Sequence, residues 1–141
     1  MTRENNKIWP SALKGLVVAI IANLIVRYGA IAAFDIPPEF LPLGTPFPVI
    51  FFTTLGALGA LGVFARVCEH SERPEYVFRW IAVVVLLLSF LPDLWLLGDG
   101  AAEMFPGATT AGVGVLGVMH VVAAVVIVWA LTGGSSTSTT N

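Results

Sequence analysis

Residues 77–97 read VFRWIAVVVLLLSFLPDLWLL, and the fold turns on this run. As a helix rising about 1.5 Å per residue it crosses the roughly 30 Å hydrocarbon core of a bilayer. Ser89, Pro92 and Asp93 interrupt it on one side. A carboxylate near the centre of such a helix costs on the order of 2.5 kcal/mol or more, so Asp93 needs a partner or a task.

The surrounding chain has the same character. Of its 141 residues 57% are hydrophobic and only 11% charged, with a mean hydropathy of +0.88; a soluble domain carries roughly 25% charged residues. The length holds about four spans of ~20 residues and no separate soluble domain. The expected fold is therefore all-α, an integral membrane four-helix bundle, multi-pass in the cell membrane with the lipid bilayer as its main partner. A formal charge of −2 and the lack of a basic cluster set nucleic acid aside. The single cysteine, Cys68, excludes an intrachain disulfide, and with His70 it supplies at most two of the four ligands of a closed zinc site. No metal and no cofactor is expected.

Residues 1–11 form a polar flank in which Arg3, Lys7 and Trp9 lead to Lys14. Spans are expected at about 12–33, 48–66, 77–98 and 111–132, and the Gly-, Ser- and Thr-rich residues 133–141 are expected to be a disordered tail. A basic start, an apolar core and the triplet Ala30-Ile31-Ala32 also fit a cleaved signal peptide. Retention is expected, because cleavage would discard Arg27 and leave Asp93 without an intramembrane cation; an intact-mass measurement decides it.

Pro37, Pro38, Pro42, Pro46 and Pro48 prevent a continuous helix after the first span. Ile36, Phe40, Leu41, Leu43 and Phe47 alternate with them, so the segment reads either as an extended cap lying over the helix ends or as a surface linker. In the second span Gly56, Gly59 and Gly62, with Ala57 and Ala60 between them, predict close approach to a neighbouring helix of the bundle. Gly56-x-x-x-Ala60 and Leu58-x-x-x-Gly62 offer a homodimer face, and so a homo-oligomer, as the alternative. Residues 67–79 read as a charged loop broken at Pro74.

Arg3, Lys7 and Lys14 lie at the start and Arg66, Arg73 and Arg79 around the middle loop, while the first and third connections contain neither Lys nor Arg. The excess of positive charge on cytoplasmic loops then places both termini in the cytoplasm, with Trp9, Trp80 and Trp129 at the inner interface and Trp95 near the outer one.

Converting position to depth at about 1.5 Å per residue brings Arg27 level with Asp93, and Asn23, Ser89 and His120 together near the midplane. Asn23 and Arg27, four apart, share one face of the first span, and Thr53 and Thr54 lie close to the Arg27 level. The candidate polar site is therefore Asn23, Arg27, Thr53, Thr54, Ser89, Asp93 and His120, with an Arg27–Asp93 ion pair above a neutral layer. Pro92 displaces the hydrogen bond to the Leu88 carbonyl and predicts a helix kink beside Asp93.

Arg73-Pro74, the 83–89 run ending in Ser89-Phe90-Leu91-Pro92, and Met119-His120-Val121-Val122-Ala123-Ala124 together resemble a family of small bacterial four-helix membrane proteins grouped as a domain of unknown function. The resemblance covers residues 9–131. It implies four spans and recurrence of the Ser-x-x-Pro and Met-His positions, and it implies no activity; the proline-rich first connection and Asp93 depart from the pattern.

Three functions compete. The first is a non-enzymatic membrane protein that binds a small apolar ligand or a partner helix in the outer half of the bundle. The second is a membrane-embedded enzyme or proton-coupled carrier using His120 and Asp93, since imidazole titrates near pH 6.5, although no nucleophile motif, phosphate loop or metal cluster supports it. The third is a structural subunit whose buried ion pair only fixes helix register. A pore is disfavoured, because so few polar positions hardly line a water path.

Overall fold

The computed structural model describes residues 5–98, 101 and 103–133, and among them there is helix and no strand. The helices are α1 (Asn5–Ala33), a single turn α2 (Leu41–Gly44), α3 (Pro46–His70), α4 (Pro74–Trp95) and α5 (Thr110–Gly133). All but α2 are long and apolar enough to cross a membrane, with span hydropathies of 1.9 to 2.5. Helices this apolar satisfy their own backbone groups, as a lipid solvent demands.

The bundle is turned inside out relative to a soluble protein. Asn23, Arg27, Thr53 and Asp93 are buried, whereas Leu13, Ile25, Phe52, Leu87, Leu88 and Val125 are exposed. In water such a surface would be an extended apolar liability; against acyl chains it costs nothing. The expected four-helix, all-α architecture is what the chain adopts.

The long helices run alternately up and down. α1 lies along both α5 and α3, α4 lies along α5 and less extensively along α3, and α1 and α4 sit across the diagonal. Trp9, Trp80 and Trp129 accordingly share one end, the end at which α1 begins and α5 finishes. Two apolar clusters fill the interior. One, nearer the tryptophan end, joins Ala19, Ala57, Leu61, Phe64, Phe78, Ile127 and Leu131. The other, at the opposite end, joins Ala30, Phe40, Leu43, Val49, Val113, Val115 and Met119.

Several boundaries differ from the sequence reading. α1 starts well before residue 12, α4 stops at Trp95, and the charged 67–79 loop shrinks to 71–73. The reason is Pro74. It stands at the start of α4, where its missing N–H is one that no helix pairs, so it opens a helix and breaks none. α3 continues through Cys68 to His70, whose Nδ1 donates to the Arg66 carbonyl at 3.0 Å. α4 also runs on through Pro92. The expected tail and the first residues of the flank lie outside the described residues.

The proline-rich segment forms a cap, though not an extended one. Its centre closes into α2, and Phe40 and Leu43 are both 0% exposed beneath it. The α4–α5 connection presses on the same cap at Gly107, whose φ of 78° suits glycine, and where a side chain would meet Pro37, Glu39 and the Phe40 nitrogen.

The glycines of α3 do something other than expected. A Cβ added at Gly56, Gly59 or Gly62 would meet nothing within 4 Å, so this stripe is not a close helix contact of the bundle. The close approach is made by Gly15, where an added Cβ would come 2.5 Å from that of Ala130, and by Gly117, which lies under the Phe90 ring. Small residues on α3 instead leave space.

Candidate functional site

That space is a half-open cleft of about 590 Å³ between α3 and α4. Gly56, Gly59, Ala60 and Val63 form one wall, Phe78, Ile81, Ala82 and Val85 the other, and Ala123, Ala124 and Ile127 of α5 the floor. Four polar residues reach it, one from each long helix: Asn23, Thr53, Ser89 and His120. Volume and lining, mostly apolar with a few convergent polar groups, match a small-molecule site, for which roughly 300–1,000 Å³ is usual.

Asn23, 2% exposed, donates from Nδ2 to Thr53 Oγ1 at 3.0 Å and ties α1 to α3. Its Oδ1 is buried with no hydrogen-bonding partner. Ser89 sends its hydroxyl proton back to the Leu86 carbonyl at 2.6 Å, the local bond that serine habitually makes within a helix. His120, half buried with Phe90 edge-on at 6.3 Å, places Nδ1 3.1 Å from Asp93 Oδ2. The contact is short enough for charge attraction but lies off the line of a directed hydrogen bond, and neither atom has another partner. It joins α4 to α5.

The sequence-predicted residues thus divide. Asn23, Ser89 and His120, expected at one level, do border one cleft, and Thr53 joins them. All four lie on the cap side of their helix midpoints, while the apolar remainder of the cleft runs toward the tryptophan end. Thr54 does not take part; its hydroxyl bonds the Ile50 carbonyl on its own helix.

The Arg27–Asp93 pair is corrected. Arg27, 5% exposed, donates from Nε to the Leu43 carbonyl at 2.9 Å and from a terminal nitrogen to the Gly44 carbonyl at 3.0 Å. These are end-of-helix carbonyls of α2, which have no partner within a single turn and attract a cation. Arg27 and Asp93 stand on helices that face each other across the diagonal, out of reach despite the equal depth expected of them. Asp93 therefore takes His120, and the argument that α1 must be retained to neutralise Asp93 falls with the pair. The sequence reading does not give Arg27 as the pin of the cap; the signal available is a cation within two turns of the end of a span followed by a proline-rich segment.

At the tryptophan end, Arg79 donates to Thr132 Oγ1 at 3.3 Å and ties the start of α4 to the end of α5. A second, shallower groove of about 710 Å³ runs along the outside of α3 past Gly62 and Val63, and its polar residues Arg66 and His70 are exposed. Among the described residues no three His, Cys, Asp or Glu side chains gather as a metal site would require.

No curated protein and no solved structure matches this chain. The resemblance carried by the last two spans, to a family of unknown function, holds: the family model described as DUF6069, a family of unknown function, matches residues 3–137, and the chain belongs to that family.

Proposed function

We propose that this chain is a non-enzymatic, multi-pass protein of the cell membrane that takes a small apolar molecule from the bilayer into the cleft between α3 and α4. The observation that carries the reading is the wall of glycines that touch nothing, set beside four polar groups at one end of an apolar space. An empty apolar gap inside a bundle forfeits dispersion contacts, and an acyl or isoprenoid chain would restore them. Native mass spectrometry of protein released from gently solubilised membranes tests it. One neutral lipid retained per chain is expected; bare protein under conditions that keep other lipid complexes intact would remove the proposal.

In this reading both termini face the cytoplasm, following the Lys and Arg count. Cys68, exposed on the last turn of α3, shares their end of the bundle. A membrane-impermeant maleimide should leave it unmodified in intact cells and modify it after permeabilisation. Modification in intact cells would reverse the orientation.

The His120–Asp93 contact favours a second reading, proton-coupled transport of the same class of ligand. An imidazole beside a carboxylate is a pair that can hold or pass a proton. Proteoliposomes carrying an internal pH dye test it: ligand-dependent proton flux lost in Asp93→Asn and in His120→Gln supports coupling, and a wild-type protein that moves no protons excludes it.

A further inference from the structure

The donors and acceptors left over at the polar end of the cleft specify more than an apolar ligand. Resting on the cleft reading above, we infer that the ligand carries a hydroxyl group, as a long-chain or polyprenyl alcohol or a quinol does, and that hydrocarbons, ethers and carbonyl compounds of the same shape are rejected.

Asn23 spends an N–H on Thr53, which leaves its carbonyl oxygen buried and unpaired. Ser89 spends its only proton on the Leu86 carbonyl, which leaves lone pairs alone. Thr53 accepts from Asn23 and keeps its hydroxyl proton, a donor beside the second amide N–H of Asn23.

Two acceptors, on Asn23 and Ser89, and two donors, on Thr53 and the second amide N–H of Asn23, therefore border the cap side of an apolar space. A ligand hydroxyl gives one proton and accepts one, and so meets an acceptor and Thr53 together. A ketone, aldehyde or ester only accepts, and leaves the buried Asn23 oxygen without a partner. An ether does the same with more bulk. Because a buried polar group left unpaired costs more than the net gain from pairing it, a site of this kind discriminates mainly by rejection. The polar groups lie on one side of the helix midpoints, so the hydroxyl points toward the cap and the chain toward the tryptophan end.

The test is retention of dodecanol, its methyl ether and dodecanal by the full-length protein in nanodiscs, each corrected for partition into protein-free discs. The alcohol should be retained at least about tenfold over the ether and the aldehyde. Ser89→Ala and Asn23→Leu should each narrow that ratio; Ser89 is half buried and bonds only its own helix, so its variant folds even where the Asn23 variant does not. Equal retention of alcohol and ether overturns the hydroxyl assignment while leaving the cleft reading in place. Preference for the aldehyde puts the Asn23 amide the other way round and also overturns it. Retention of none of the three, with folded protein, removes the cleft reading and this inference together.

Discussion

Replacing Arg27 by methionine is expected to cost about 2–3 kcal/mol of stability. Methionine matches the length of the aliphatic stem, so packing changes little. What goes is a guanidinium 5% exposed and its two hydrogen bonds, to the Leu43 and Gly44 carbonyls. A bond to a charged group is worth roughly 1.5–3 kcal/mol, and part of the loss is returned because the charge no longer has to be buried. With the carbonyls orphaned, α2 has nothing to hold its end, and Phe40 and Leu43 lose the lid that keeps them buried. Arg27→Lys should fall between the two, because a lysine keeps the charge and loses the forked geometry. Thermal unfolding in detergent, with protease cleavage between residues 34 and 45 as the local reporter, measures both effects. An unchanged midpoint with an uncut cap would show that the guanidinium does not hold it.

The second large effect runs the other way. Gly56→Leu should leave the fold as stable as before or slightly more so, and should reduce ligand retention at least about tenfold. A Cβ at this position meets nothing within 4 Å, so the larger side chain enters open space without displacing a neighbour. Leucine also favours the helix over glycine by up to about 1 kcal/mol. The same side chain occupies the wall of the cleft and takes up room a ligand would need. Retained lipid measured by native mass spectrometry beside the unfolding midpoint separates the two quantities. A variant that unfolds early would mean that α3 and α4 close on each other at Gly56; one that is stable and still fully loaded would move the ligand elsewhere.

Asn23 and Arg27, one turn apart on α1, were read from spacing as one face, and they do share it. The residues they meet differ because the face of α1 leaves one neighbour for another along its length: Asn23 opposes Thr53 of α3, whereas Arg27 is already level with the cap. Asp93 was recognised from its cost in lipid as a residue that needs a partner. His120, placed near the midplane from its position in the last span, turned out to be that partner, and α4 and α5 being adjacent is what allows it. Gly56, Gly59 and Gly62 were noticed as a stripe of small residues, but smallness does not distinguish a helix that approaches closely from one that stands away. Gly15, by contrast, makes the close approach of α1 to α5.

By itself the sequence determined the apolar character of the spans and the number of long helices, because hydrocarbon thickness and the fixed rise of a helix set how long an apolar run must be to cross. Only the tertiary structure decided rotation and adjacency. Helices that are apolar on nearly every side carry little information about which face turns inward, so Arg27 and Asp93 could share a height and still stand on opposite corners. The cap was undecided for a related reason: its stability comes from a cation donated by a distant residue to two backbone carbonyls, and backbone carbonyls leave no mark in the sequence.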